Sequence, residues 1–380
     1  MTKRSTNRTK GFSLLEMTVA TALGSLVVGA AVQLYVQGVG ATWTVSQRAE
    51  MQQDFRAASN MLTKDLSLAG AGLTQGAAIQ LPTSSSIPVL GCDQSSTCYI
   101  NGASVNYPLQ GTTPFLYGLL TGYNAGPTIS GQTTDTVTVV YTDPNFYLDC
   151  YTATVASATT VTFALPTSTS SNCTAPSSSA IQNINDSAVG LTPGDLVLFT
   201  FGTTPIVAEV YGATTSSTTA TFSTSDPLKM NQATTVPKSL GSEYNSTTAT
   251  TGYGVRLLVV TYYLDNSVTP PRLMRQISGH SPVPVAESVV YLKFSYDLFN
   301  TNTNTVAVSC QNPGATGDVC TSGSSSGLLP NQITQIHVLN MAMDGSVKGS
   351  LYGLAGGNQS IDLQTTVSAR NLTYVNSYSN

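Results

Sequence analysis

Charge is scarce in this sequence. Only 9% of its residues are Asp, Glu, Lys or Arg, against about 25% in an ordinary domain. Ser, Thr, Gly and Asn fill the gap, which is the look of an extracytoplasmic, β-rich, loop-rich surface rather than a cytoplasmic enzyme. Only two histidines, His280 and His337, are present, which leaves little for general acid–base work. No proline occurs between residues 12 and 81, so nothing in that stretch need break a helix. C-x-x-C, H-E-x-x-H, P-loop and EF-hand patterns are all missing. No cofactor, metal site or catalytic constellation is therefore indicated. The 380 residues suffice for one or two domains with a substantial core.

What charge there is has a pattern. Residues 1–11 hold Lys3, Arg4, Arg8 and Lys10 and no acid. Removing these four positive charges from the net −4 leaves −8. An acidic body lacks the clustered Lys and Arg of a general nucleic-acid surface.

Six cysteines fall into three local couples: Cys92 with Cys98, Cys150 with Cys173, and Cys310 with Cys320. Each couple closes a short loop rich in Ser, Gly, Asn or Pro. They read as loop-stapling disulfides in an oxidising compartment. Free buried thiols are the alternative, and six cysteines allow 15 pairings on sequence alone.

The N-terminus carries the sharpest signal. From Phe12 to Gln47, Glu16 is the only charged side chain. The apolar run, about 12–45, is longer than the core of a secretory signal and long enough to cross a bilayer. The basic residues before it place the N-terminus in the cytoplasm and the body outside. A carboxylate inside a membrane costs roughly 2.5 kcal/mol or more, so Glu16 needs a reason that a plain anchor does not supply.

The stretch Lys10-Gly11-Phe12-Ser13-Leu14-Leu15-Glu16 resembles the class III signal of type IV pilins and type II secretion pseudopilins. The resemblance implies cleavage by the prepilin peptidase between Gly11 and Phe12, and N-methylation of Phe12. It also implies that Glu16 stays in the mature helix and pairs with the Phe12 amine of a neighbouring subunit. The chain then divides into a leader (1–11), a transmembrane and filament half of the helix (12–45), an amphipathic half (46–70) and a β-rich body (71–380).

The residues support that division. A helical pattern runs to about Ala69 and stops near Gly70-Ala71-Gly72, about 58 residues or roughly 87 Å. Met51, Phe55, Ala58, Leu62, Leu66 and Ala69 form one apolar stripe. Gly38 and Gly40 weaken the middle by about 1 kcal/mol each, and a bend or melted turn is expected there. Beyond residue 75, runs rich in Val, Ile, Thr, Tyr and Phe predict strands at 134–142, 195–201, 206–211, 254–264, 289–299, 332–343 and 360–371. The stretches 82–130, 166–187, 212–218, 242–252 and 300–330 read as surface loops. The expected fold class is α+β, a long N-terminal α-helix packed on an antiparallel β-sheet-rich body, and it is pilin-like by resemblance.

The order of elements is similar to PilW-like minor pilins, carried by the Gly-Asp-Leu-Val-Leu-Phe strand at 194–199, Tyr-Tyr-Leu-Asp at 262–265, Arg-Leu-Met-Arg at 272–275 and a closing Val-Ser-Ala-Arg-Asn at 367–371. Major pilins usually carry a kinking proline in the membrane half, and this chain has none. The resemblance implies an inner-membrane precursor that joins other minor and major pilins in a priming or tip complex. Its implied partners are the prepilin peptidase, the assembly platform and motor, and a tip adhesin; its implied final place is the pilus on the cell surface. A J-like type II secretion pseudopilin is the nearest rival. A DNA-uptake or adhesive tip subunit is another, and a membrane-anchored hydrolase a third.

The hydrolase reading rests on Gly323-Ser324-Ser325-Ser326-Gly327, which matches G-x-S-x-G. A nucleophile elbow needs a strand before and a helix after; this motif sits in a Ser/Gly stretch beside Cys320, so a loop is expected. His280 lies in a turn and His337 in a strand pattern, and neither has an obvious partner. Asp135, Asp143 and Asp149 fit no calcium-loop spacing and read as solvated turn residues.

Overall fold

A computed structural model describes residues 11–73, 78–83, 86–103, 105–165, 173–214, 216–233, 236–300, 305–313, 332–345, 359–369 and 371–372. The fold is α+β: one long N-terminal helix, Leu14–Ser67, followed by a body of antiparallel sheets. As far as Gln53 the helix belongs to one compact unit; from Asp54 it belongs with the β body to a second. It runs unbroken through Gly38 and Gly40, contrary to the expected bend. The roughly 1 kcal/mol that each glycine costs is spread over a helix that propagates cooperatively on both sides.

The long strand Thr251–Asp265 organises the largest sheet. Its first half pairs with Leu196–Phe201 and Thr152–Ser157; its second half lies between Thr136–Thr142 and Arg272–Ile277. Both faces of this sheet are covered. Along Leu196–Phe201, Leu196 and Leu198 join one core cluster, while Val197, Phe199 and Phe201 join another on the opposite face. Two-sided burial explains why that strand reads as an apolar run rather than an alternation. Phe199 anchors the second cluster, stacked on Phe201 at 5.5 Å and edge-on to Phe222 at 5.4 Å. A second sheet has the strand order Thr305–Cys310, Val289–Asn300, Ile333–Gly345, Gln359–Ser368.

The first cluster is covered by part of 82–130, which the sequence reading takes for surface loop. Val89–Leu90, Val105–Asn106, Leu109–Gln110, Thr113–Leu116, Leu119–Gly122 and Thr128–Ile129 are strands, and Leu90, Ile100, Tyr107, Leu116 and Tyr117 are buried. Each run is too short to show a period, and Ser, Pro and Gly separate them. Five longer strands also escaped that reading: Thr152–Ser157, Thr160–Ala164, Arg272–Ile277, Val283–Glu287 and Thr305–Cys310. The last lies inside the expected 300–330 loop; residues 314–331 are outside the described residues.

Disulfides join Cys92 to Cys98 and Cys150 to Cys173, closing spans of 6 and 23 residues. Cys310 is also disulfide-bonded, and Cys320 lies outside the described residues.

The last turns of the helix dock on the body. Phe55, Ala58, Leu62, Leu66 and Ala69 are buried; each large apolar side chain among them contributes about 1.5–3 kcal/mol. Gly70 N–H then donates to Val140 C=O at 2.8 Å, and Thr142 N–H to Ala71 C=O at 2.9 Å. Gly72, at φ +74°, lies so close to Thr142 that a Cβ there would collide with its side chain.

One acid lies inside this interface. Asp65 is 4% exposed. Its carboxylate accepts from Tyr262 Oη at 2.7 Å, Tyr141 Oη at 3.1 Å and Arg275 Nε at 2.8 Å. Burial first, then the Asp65 charge, push the Tyr141 hydroxyl up to about 12, so it stays a donor at neutral pH. The sequence pattern sets Asp65 among the charges off the apolar stripe, and burial corrects this: it stands three residues after Leu62 and four before Ala69, on the docked face. Truncating it takes the carboxylate from a partly buried guanidinium and two buried hydroxyls, leaving only the 3.5 Å bond from Arg275 Nη2 to Tyr141 Oη. Asp65→Ala is expected to lower stability by about 3 kcal/mol, and Asp65→Asn by less, in urea titrations of the full chain in detergent. Equal stability of Asp65→Ala and wild type contradicts this docking role.

Candidate functional site

The N-terminal junction comes first. Gly11 and Phe12 precede the helix and are exposed, Phe12 by 88%; residues 1–10 lie outside the described residues. Ser13 caps the helix. Its Oγ accepts from Glu16 N–H at 3.2 Å, and Glu16 Oε2 accepts from Ser13 N–H at 3.0 Å. This is a reciprocal capping box, Ser-x-x-Glu, which satisfies two N–H groups that the helix cannot pair internally. On sequence Glu16 is explained only through a charge pair between subunits, and the box goes unread, although Ser13-Leu14-Leu15-Glu16 spells it. Glu16 also faces the positive end of the helix dipole.

Behind the junction, Leu14–Trp43 is long and apolar enough to cross a membrane, and none of its most apolar window is buried. Leu14, Leu15, Leu23, Leu26, Leu34 and Trp43 are each more than 60% exposed. A soluble fold does not leave such a surface in water. It needs lipid, or other helices.

The titratable clusters of the body are structural. His280 Nε2 lies 2.9 Å from Asp195 Oδ1, so the residue expected to lack a partner has one. Asp195 Oδ2 accepts from Thr192 N–H at 2.8 Å and lies 3.6 Å from Arg256 Nη1. Arg256 in turn holds Asp143 through Nε at 2.9 Å and covers the Phe146 ring at 4.5 Å. Asp135 and Asp149 are buried, at 2% and 7% exposure. Asp135 accepts from Lys293 Nζ at 2.7 Å and from two backbone N–H groups; Asp149 accepts from Thr174 N–H at 2.9 Å. None of these three aspartates is a solvated turn residue, because each ties a loop to its neighbours. The sequence reading goes wrong here because their partners are remote along the chain.

His337 also has partners, Asp297 Oδ2 at 3.0 Å and Thr366 Oγ1 at 2.9 Å. The order threonine–histidine–aspartate has the form of a nucleophile, base and orienting acid. All three stand on adjacent strands of one sheet. The arrangement is a cross-strand polar line. Ser325 lies outside the described residues. Among the described residues, no group of three or more His, Cys, Asp or Glu side chains is placed to hold a metal.

The most perturbed pair is Glu209 and Asp226, both with 0% exposure. Glu209 accepts from Leu228 N–H at 2.9 Å and from the Gln94 amide. Asp226 Oδ1 is buried and receives no donor. Burial first, then the Asp226 charge, push Glu209 up to about 9. Burial raises Asp226 as well, so the pair holds a proton more firmly than ordinary carboxyls do. Glu209 accepts from Leu228 N–H, and Asp226 from the N–H groups of Met230 and Asn231, so the pair holds the loop after Phe222 against the sheet.

Residues 6–32 match the family model described as the prokaryotic N-terminal methylation motif. The matched stretch contains the Gly11–Phe12 junction, the capping box and the first half of the apolar segment. The match supports a processed protein of the type IV pilin or pseudopilin kind, with membrane anchoring through its N-terminus before assembly. No curated protein and no solved structure matches the chain.

The Glu209–Asp226 pair sets a pH dependence. In the unfolded chain Glu209 releases its proton near its ordinary value of 4.5; in the folded protein it holds the proton to about 9. Between those values the folded state binds more protons, so this pair's contribution to stability falls as pH rises, by at most about 1.4 kcal/mol per unit. Glu209→Gln, which cannot ionise, is expected to flatten that slope in denaturation series between pH 5 and about 9. An unchanged slope means that the pair does not carry the proton.

Proposed function

We propose that this chain is a minor type IV pilin of the PilW-like kind, processed by the prepilin peptidase and assembled through its N-terminal helix. The observation that carries this reading is the junction itself: an exposed Gly11-Phe12, a single carboxylate at Glu16, and an uncovered apolar segment directly behind. The precursor sits in the inner membrane with its N-terminus in the cytoplasm and its body in the periplasm. The peptidase removes residues 1–11, and the new Phe12 amine is N-methylated and keeps its positive charge.

Glu16 then lies about 6 Å further along the helix, at 1.5 Å per residue. Helices that pack side by side exclude water from this segment. A lone carboxylate there is costly, whereas one facing the ammonium of a neighbouring Phe12 is strongly attracted. Subunits out of register leave both charges unpaired. The pair thus fixes axial register and draws incoming subunits to the filament base.

The helix from Asp54 carries the body, which meets other minor and major pilins in a priming or tip complex and presents a surface for a tip adhesin. The peptidase, assembly platform and motor are partners rather than activities of this chain. The size of the body, residues 71–380, favours the pilus over the short filament of a J-like type II secretion pseudopilin. Its acidic balance argues against nucleic acid as a ligand.

The capping box and the charge pair make separable demands on Glu16. Glutamine keeps the box but has no charge. Glu16→Gln and Glu16→Ala are both expected to lower the amount of this subunit in sheared filaments at least about tenfold, the effect of losing roughly 1.4 kcal/mol at assembly. Ser13→Ala, which removes only the cap, is expected to change it little. If Glu16→Gln assembles like wild type, Glu16 serves the helix end and the charge pair is wrong.

A further inference from the structure

An open cleft of about 500 Å³ lies between the turn at Tyr123-Asn124, the hairpin at Thr128–Thr133 and the second sheet. Its volume falls within the range of small-ligand sites. Nothing in the processing or assembly of the helix uses it.

The cleft is built rather than incidental. Asn124 holds a left-handed backbone, φ +53°, which asparagine adopts more readily than most residues. Asp135 secures that turn, accepting from Asn124 N–H at 2.8 Å, and ties it to the second sheet through Phe294 N–H at 3.1 Å. Lys293 completes the support: its Nζ donates to Asp135 at 2.7 Å and to the Asn124 side chain, and lies 5.0 Å from the Tyr123 ring centre.

This support sets the chemistry of the cleft. Among the described lining residues one carboxylate, Asp135, and one ammonium, Lys293, neutralise each other, so these residues bring no net charge to select an anion or a cation. Phe294 is only 1% exposed and adds little apolar surface to the cleft. What remains is aromatic and amide. Tyr123, 39% exposed, and Tyr291 contribute rings, and Asn124, Gln132, Gln311 and Gln364 bring amides from four segments. An amide is both donor and acceptor, which suits vicinal hydroxyl groups. An aromatic ring offers a flat apolar face with a negative quadrupole, which suits the C–H face of a pyranose.

We infer that this cleft is a binding site for a neutral oligosaccharide, with Tyr123 as the stacking surface and the amides of Gln132 and Gln364 reading hydroxyl groups. The inference stands on the body alone and does not depend on how the helix is processed.

The test uses the full chain in a detergent without a sugar headgroup. Binding is measured to a printed series of neutral oligosaccharides, including lactose, diacetylchitobiose and maltotriose, with sialyllactose as the charged comparison. At least one neutral member is expected to bind. Tyr123→Ala, at an exposed position, is expected to weaken that binding about tenfold, the equivalent of roughly 1.4 kcal/mol, with an unchanged thermal midpoint. Gln132→Ala, at the exposed hairpin tip, is expected to weaken it severalfold and carries the test if Tyr123→Ala unfolds. Absence of binding to every neutral member, binding of sialyllactose alone, or full affinity in the folded variants overturns the assignment.

Discussion

The carboxylate of Asp65 is the point on which the two parts of this molecule's design meet. A helix made mostly of apolar and small residues has no intrinsic reason to dock in one orientation on a sheet, because hydrophobic contact is non-directional. Three donors fixed on three different strands, Tyr141, Tyr262 and Arg275, provide that direction. The buried ion pair adds little net stability, because desolvation offsets most of its Coulomb energy. It does penalise every helix rotation or slip that separates Asp65 from its donors. Gly70 and Gly72 then let the backbone leave the helix and join the strand Thr136–Thr142 directly.

The same helix faces opposite demands at its two ends. From Asp54 it is an ordinary amphipathic element of the body. In Leu14–Trp43 it shows apolar side chains outward, a surface that only lipid or like helices satisfy. Glu16 stands at the mouth of that segment, capped with Ser13. A capped glutamate is at home at a helix start in water; carried into a bundle of identical helices it needs a cation. The proposal gives one residue these two roles at different stages, and the capped geometry is compatible with the proposed filament geometry.

Much of this was legible in the sequence where the signal was local. The class III junction, the extent of the helix and the long strands around 134–142, 195–201, 254–264 and 289–299 each announce themselves through contiguous composition or period. What was not legible was remote pairing. Asp135 looks like a turn residue until Lys293 and Phe294 fold back onto it; His280 looks isolated until Asp195, 85 residues away, reaches it. The layer within 82–130 was missed because two-residue strands carry no period, and only the sheet beneath reveals why Tyr107 and Tyr117 are buried. Arg275 and Asp65 are 210 residues apart, so no window along the chain shows them together.

The central claim is that the Gly11–Phe12 junction is processed and the mature helix begins at Phe12. Intact mass of the membrane protein, from cells with and without the prepilin peptidase, tests it most directly. The account predicts loss of residues 1–11 and gain of one methyl group on Phe12, both abolished when the peptidase is absent. An uncleaved chain, or a cut at any other bond, contradicts it and leaves Glu16 as the cap of a plain membrane anchor.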